Sequence, residues 1–366
     1  MTRRSLFRLE QLENRWCPAV TARLALGTLT ISGTPAATLS IVQDSTTAGK
    51  IQVFDGVTPV TGSPFTGVNN LRLSLGTSAD TVAIDLGGKT LPGYIVAALG
   101  AGANNLSVIN GAATRVSIGA SNDDDSVTLG DGISALTLQY ADVSLTGGSD
   151  TVTLKNGTTL SKDFSAFYVN DVTLEAGAST RNFYVRGGTT GNAIDISGTV
   201  TGNLFVHSLY FFGASTAGTS LDVSGTVDGS VSFYGSDLAD TVTLGNNVGR
   251  GATIVGYGGD DSISISGAVT NSLYIDGGDG DDSIDVSSTV GGRVYIYGGA
   301  GNDSLVIGAA AKFLTNAVVS MGSGADTVNL NNAASFTSLL INGGSGTDTF
   351  IGNKAATGLV LVSCEL

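Results

Sequence analysis

Short runs of alternating apolar and polar residues repeat about every 22 residues from Leu71 to the end of the chain. Runs such as Leu273-Tyr-Ile275 and Ser283-Ile-Asp-Val286 have the period of two that is typical of a strand with one buried face. Helical periodicity is confined to the first 20 residues. The alternation predicts Leu273, Ile275, Ile284 and Val286 inside the fold, and Tyr274 and Asp285 outside.

We call the first apolar residue after each turn the marker residue of that repeat. Each repeat reads strand, glycine turn, strand and short linker, which is typical of stacked copies of one supersecondary unit. The sequence therefore predicts an all-β fold, a right-handed parallel β-helix (solenoid) of about 13 coils over residues 71–366. The register is least regular around Val152 and Val172, and about five extra residues precede Leu221. The 13 marker residues are Val82, Leu106, Val127, Val152, Val172, Ile194, Leu221, Val242, Ile263, Ile284, Leu305, Val328 and Phe350.

Residues 24–66 are rich in predicted strands but do not follow the later period. Residues 38–42 and 50–54 alternate polar and apolar side chains on either side of a turn, which predicts a β-hairpin. Because the open end of a solenoid exposes unpaired backbone groups, we interpret this region as an N-terminal cap with a hairpin.

Composition limits the classes of partner. The formal net charge of −14 disfavours nucleic acid, because phosphates require clustered Lys and Arg. No apolar run approaches the roughly 20 residues that a membrane-spanning helix needs. Cys17 and Cys364 lie at opposite ends of the chain, and we expect a rod to hold them too far apart for a disulfide.

Five glycine turns in the C-terminal third each end in an aspartate. Glycines let turn carbonyls converge, and carbonyl and carboxylate oxygens suit Ca²⁺. Stacked carboxylates about 5 Å apart would repel each other. Three arrangements are therefore open: Ca²⁺ bridges the carboxylates, the side chains turn outward, or each carboxylate accepts hydrogen bonds from the amides of its own turn. The turns are GYGGDD, GGDGDD, GGAGND, MGSGAD and GGSGTD, ending at Asp261, Asp282, Asp303, Asp326 and Asp348.

Residues 277–285, 298–306 and 343–351 fit the pattern GGxGxDxUx in full and resemble haemolysin-type (RTX) repeats. In that family Ca²⁺ lies between the turns of neighbouring coils, held by aspartate side chains and turn carbonyls. The chain departs from the family in having about 22 residues per coil, a turn on one side only, and turns before Asp240 that fit poorly. The resemblance implies metal ligands at Asp261, Asp282, Asp303, Asp326 and Asp348.

Residues 1–20 form a basic, targeting-like segment that contains the twin arginine Arg3-Arg4 and predicts a short helix ending before Pro18. Charged residues interrupt the apolar stretch that a secretory signal peptide needs. The run Arg8-Leu-Glu-Gln-Leu-Glu-Asn-Arg15 resembles the LEPR-type N-terminal motif of planctomycete surface and secreted proteins, although Asn14 replaces the usual Pro or Asp. The resemblance implies a secreted or cell-surface location.

Aromatic residues at outward strand positions form the second candidate feature. Such rings either stack on one another as a ladder or bind the faces of sugars. His207 lies among apolar residues, where we expect a structural position. A polysaccharide lyase or glycosidase would need paired carboxylates. The outward-facing aspartates of this chain are widely spaced and have few basic residues nearby. The rings are Tyr184, Phe211, Tyr234, Tyr274, Tyr295 and Tyr297, and the carboxylates are Asp195, Asp222 and Asp285.

These patterns predict a structural or adhesive solenoid, outside the cell or at its surface, that Ca²⁺ stabilises and that is not an enzyme. The alternative is a carbohydrate-binding module that uses the exposed tyrosine face, and a third interpretation is a polysaccharide lyase or glycosidase. The expected partners are calcium and an extracellular polysaccharide or surface protein, with no nucleic acid and no membrane span.

Overall fold

The computed structural model describes residues 20–188, 191–208 and 217–364. Within these ranges the chain is all-β, without a helix, and forms a parallel β-solenoid of about 13 coils. No helix there is long and apolar enough to cross a membrane. The predicted helix in residues 1–20, Cys17 and Phe211 lie outside the described residues.

Each coil contributes strands to three columns of parallel strands. The first column follows the glycine turn, the second lies in the linker, and the third leads into the next turn. Long strands continue from one column into another at the corners. These long strands are β8 (Thr81–Ala98), β9 (Asn105–Ser121), β11 (Leu136–Thr146), β13 (Thr158–Val169), β15 (Ser179–Gly187), β30 (Lys312–Ser323) and β32 (Ser335–Ser345).

The remaining strands of the solenoid belong to one column each. In the first column they are β10 (Ser126–Leu129), β12 (Thr151–Leu154), β14 (Asp171–Leu174), β16 (Asn192–Ile196), β19 (Thr219–Val223), β22 (Thr241–Leu244), β24 (Ser262–Ile265), β26 (Ser283–Val286), β29 (Ser304–Ile307), β31 (Thr327–Leu330) and β33 (Thr349–Ile351). In the second they are β17 (Thr199–Val200), β20 (Thr226–Val227) and β27 (Thr289–Val290). In the third they are β18 (Leu204–His207), β21 (Val231–Tyr234), β23 (Ala252–Gly258), β25 (Leu273–Asp279), β28 (Val294–Ala300) and β34 (Leu359–Val362).

The N-terminal strands extend these columns. The predicted hairpin is present, because β3 and β4 pair antiparallel. β2 and β3 also pair parallel with β7 and β8, so the stack of coils begins before Leu71. The strands are β1 (Val20–Ala25), β2 (Thr28–Gly33), β3 (Leu39–Gln43), β4 (Lys50–Asp55), β5 (Thr58–Pro59), β6 (Phe65–Thr66) and β7 (Asn70–Leu75).

The marker residues lie in register along the first column. Val152 pairs with Val127 on one side and with Val172 on the other, so these coils are regular where the sequence had suggested a break. The predicted inward residues Leu273, Ile275, Ile284 and Val286 are all at most 1% exposed. Stacking equivalent apolar residues from each coil therefore builds one continuous core.

The linker is more ordered than its sequence indicates. Val227, Val248, Val269 and Val290 of successive coils are joined by parallel bridges, and each is at most 1% exposed. A single inward valine per coil is too short a run to show a period of two, which is why the second column reads as a loop in the sequence.

Candidate functional site

The predicted calcium ligands belong to a longer row of equivalent positions, which we call the inner ladder. Each position lies two residues before a marker residue, where the glycine turn ends and the first-column strand begins. All of these side chains are at most 7% exposed. The inner ladder comprises Asp80, Asn104, Asp125, Asp150, Asn170, Asn192, Thr219, Asp240, Asp261, Asp282, Asp303, Asp326 and Asp348.

A repeated hydrogen bond links neighbouring members of the inner ladder. The backbone N–H of Asp261 donates to Oδ1 of Asp282 at 2.8 Å, and the N–H of Asp282 donates to Oδ1 of Asp303 at 2.9 Å. The same bond joins Asp80 to Asn104 and continues to Asn170, and it joins Thr219 to Asp240 and continues to Asp348. Each accepting side chain in this series thus satisfies a buried amide of the preceding coil.

This bonding corrects one sequence-based expectation. The capping alternative assigned each carboxylate to the amides of its own turn, whereas these Oδ1 atoms accept from the neighbouring coil. Asp240 does both, because its Oδ2 also accepts from the N–H of Ser236 at 2.6 Å. The side chains do not turn outward, since every aspartate of the inner ladder is at most 3% exposed.

The second carboxylate oxygen is left over at most aspartate positions. Oδ2 is buried and without a hydrogen-bond partner in Asp80, Asp125, Asp150, Asp261, Asp282, Asp303 and Asp326. Burial away from water raises the pKa of Asp282 to about 6, that of Asp150 and Asp303 to about 7, and that of Asp261 to about 8. Burial also raises the pKa values of Asp80, Asp125, Asp240 and Asp326.

The inner ladder offers few oxygens to a cation. Ca²⁺ takes roughly six to eight oxygen ligands, whereas Asp261, Asp282, Asp303 and Asp326 each have one carboxylate oxygen not already bonded to an amide. Among the described residues no three acidic, histidine or cysteine side chains converge on one point. The carboxylate oxygens of the inner ladder are arranged to accept hydrogen bonds from amides rather than to surround a calcium ion. Calcium binding at Asp261, Asp282, Asp303, Asp326 and Asp348 stays a prediction.

A second row of side chains lies outside the first and was not predicted as a unit. The N–H of Asp281 donates to Oδ1 of Asp260 at 2.9 Å, and the N–H of Asn302 donates to Oδ1 of Asp281 at 2.6 Å. The N–H of Ala325 then donates to Oδ1 of Asn302 at 2.9 Å. This exposed outer ladder runs in the opposite direction, so the turns are tied to both neighbouring coils.

The outward face of the third column carries the aromatic residues. We call Phe167, Tyr184, Arg186, Phe205, His207 and Tyr234 the aromatic patch. Phe205 lies at its centre, with ring centroids 6.4 Å from Tyr184 and 5.8 Å from Tyr234. Tyr274 and Tyr297 form a separate contact at 5.6 Å, and Tyr295 pairs with Tyr274 on the next coil.

A pocket of about 250 Å³ opens on the aromatic patch. Arg186 lines it, and its Nε atom is buried without a hydrogen-bond partner. Burial and the nearby Arg186 lower the pKa of His207, which favours the neutral imidazole. The structure places the His207 side chain beside this pocket, where its ring packs against Phe205 and Tyr234, and the structural role that the sequence indicated stays a prediction.

The three outward carboxylates considered for catalysis are only partly brought together. Asp195 and Asp222 lie opposite each other on adjacent coils. Asp285 lies in the same row but three coils further on. Asp195 accepts a hydrogen bond from the Ser197 hydroxyl at 2.7 Å, as Asp285 does from Ser287 at 2.5 Å.

The chain matches no protein-family model, and no curated protein or solved structure shows significant similarity to it. The parallel β-solenoid is shown by the structure alone, and proposals about its role depend on the inner ladder, the aromatic patch and the outward carboxylates.

Proposed function

We propose that this chain is a structural or adhesive β-solenoid that acts outside the cell or at its surface. The observation that carries the proposal is the inner ladder, in which the acidic turn residues bond coil to coil along almost the whole stack. Side chains that tie coils together serve rigidity, and a rigid rod is what a scaffold requires. The net charge of −14 and the resemblance of residues 8–15 to a surface-protein motif support the location.

Antibody labelling of the native cells tests this role. An antibody against the folded solenoid is expected to label intact cells, and protease added outside is expected to remove the label. The matched control is an antibody against a cytoplasmic protein, which should label only lysed cells. Labelling of the solenoid only after lysis would contradict the proposal.

A carbohydrate-binding role is the second candidate, because the aromatic patch surrounds a pocket. Rings present apolar faces on which a sugar can stack, and the guanidinium of Arg186, which lines the pocket, can donate to an acidic or hydroxyl group of the sugar. Stacking and one directed polar contact are the usual elements of a small-ligand site. An acidic polysaccharide fits this chemistry best.

Binding to immobilised polysaccharides tests the second role. The double substitution Tyr184→Ala with Phe205→Ala is expected to weaken binding to a uronic-acid polymer about tenfold or more, because each stacked ring contributes ~1 kcal/mol. The matched control is Tyr295→Ala with Tyr297→Ala, which removes two rings outside the pocket. Equal losses for both pairs would place binding on the whole tyrosine face, and no binding by the wild type would exclude this role for the polymers tested.

A further inference from the structure

Asp125 and Asp150 occupy consecutive positions of the inner ladder, with Asn104 before them and Asn170 after them. Both aspartate side chains are at most 1% exposed. Oδ1 of Asp150 accepts the Asp125 N–H at 2.9 Å, and Oδ1 of Asp125 accepts the Asn104 N–H at 2.9 Å. Oδ2 of each aspartate is buried without a partner. An ionised carboxylate in such a place leaves lone pairs unsatisfied away from water.

The two asparagines show what this place in the coil accommodates. Nδ2 of Asn104 donates to the carbonyl of Gly102 in its own turn and to Oδ1 of Asp125. Nδ2 of Asn170 donates to the carbonyl of Gly191 at 3.0 Å. At Asn104 and Asn170 the second side-chain atom is therefore a hydrogen donor that finds a carbonyl acceptor. At the equivalent atom, Oδ2 of Asp125 or Asp150, a protonated oxygen can donate in the same way, whereas an ionised oxygen cannot.

The charges around Asp125 and Asp150 act in the same sense. Asp123 and Asp124, in the turn of the same coil as Asp125, are negative and raise the pKa of Asp125, and Asp124 and Asp125 raise that of Asp150. Burial is the largest cause of the raised pKa in both aspartates. No basic group among the described residues contributes to either shift.

We propose that the Asp125–Asp150 pair binds one proton at neutral pH. The proton is carried on Oδ2 of one aspartate and is donated to a turn carbonyl, as the Nδ2–H groups of Asn104 and Asn170 are. The solenoid would then gain stability from mild acid, which is the opposite of ordinary acid denaturation. The inference concerns the N-terminal half of the inner ladder and does not depend on the proposed surface role.

The sign follows from proton linkage. In the unfolded chain an aspartate holds its proton only below about pH 4. In the folded chain Asp150 holds it up to about pH 7. Between these values the folded state binds more protons, so stability is fully present below pH 4 and is lost as the pH rises through 7. For one proton the folding equilibrium changes by up to about tenfold per pH unit in this window.

The test compares Asp150→Asn with the wild type from pH 5 to pH 8.5. The variant keeps an Oδ1 acceptor for the Asp125 amide and cannot ionise, so its melting temperature relative to that of the wild type is expected to rise from pH 5 to about pH 7 and to stay constant above that pH. The matched control is Asp171→Asn, which changes an exposed aspartate in the next coil. Its melting temperature is expected to equal that of the wild type at every pH.

Infrared difference spectra provide an independent readout. The wild type minus Asp150→Asn spectrum at pH 6 is expected to contain the band of a protonated carboxyl, which disappears at pH 8.5. If Asp150→Asn does not fold, Asp125→Asn serves in the same comparison. A melting difference that does not change with pH, together with no carboxyl band at pH 6, would overturn the proposal.

Discussion

Replacing Gly299 by alanine is expected to destabilise the C-terminal coils by about 3 kcal/mol or more. Gly299 has φ of +128°, which L side chains rarely adopt. A Cβ there would lie 1.8 Å from the carbonyl oxygen of Gly278 in the preceding coil. The obstacle is backbone rather than a mobile side chain, so the coils would have to separate locally. Hydrogen exchange at the amides of Asp282 and Asp303 would measure the loss.

Gly132→Ala is the matched control for this prediction. Gly132 also has positive φ, at +79°, but no atom lies within 4 Å of its Cβ position. The control therefore carries only the cost of the left-handed backbone, about 1–2 kcal/mol. Because a solenoid loses stability mainly in neighbouring coils, exchange should increase around the substituted turn first. Equal losses for the two variants would show that close stacking of the turns contributes nothing.

The double variant Asp282→Ala with Asp303→Ala is expected to be about 2–6 kcal/mol less stable than Asp282→Asn with Asp303→Asn. Alanine leaves the amides of Asp261 and Asp282 buried without an acceptor, at a cost of about 1–3 kcal/mol each. Asparagine keeps Oδ1, and Asn104 shows that a carboxamide fits the inner ladder. Denaturant unfolding of the two variants without calcium measures the difference. Equal stabilities would remove the inner ladder as a source of rigidity.

The same variants decide the calcium prediction. Ca²⁺ bound through the aspartates should raise the melting temperature of the wild type at millimolar concentration and leave the asparagine variant unchanged. The alanine variant alone is a poor test, since it is destabilised whether or not an ion binds. A wild-type melt that is the same with calcium and with chelator would eliminate calcium as a stabiliser.

The period and the inward faces of the strands could be predicted because each coil repeats the same alternation. Ile263, Ile284 and Leu305 repeat at steps of 21 residues, and the structure stacks them in register. The second column could not be predicted in this way, because one valine per coil carries no periodicity of its own.

The sequence pattern singled out only the C-terminal part of the inner ladder, from Asp261 to Asp348. Glycine-rich turns drew attention to the aspartates from Asp261 onward, while Asp80, Asp125 and Asp150 follow turns of different composition. The usable signal was an Asp or Asn two residues before every marker except Leu221, as in Asp125-Ser-Val127. Strand alternation would also have predicted the inward direction, since residues two apart share a face. The donor could not be predicted, because the offset between neighbouring coils decides which backbone amide reaches Oδ1.

The bond that joins one coil to the next has the same donor, acceptor and direction at Asp240, Asp261 and Asp282. These coils are 21 residues apart and interchangeable in chemistry, so a gene segment encoding one of them can be copied or deleted and still leave matching ends. Inner-ladder positions accept Asp or Asn, which leaves each new copy free to diverge. The length of such a rod is therefore an inheritable quantity that evolution can change in whole coils.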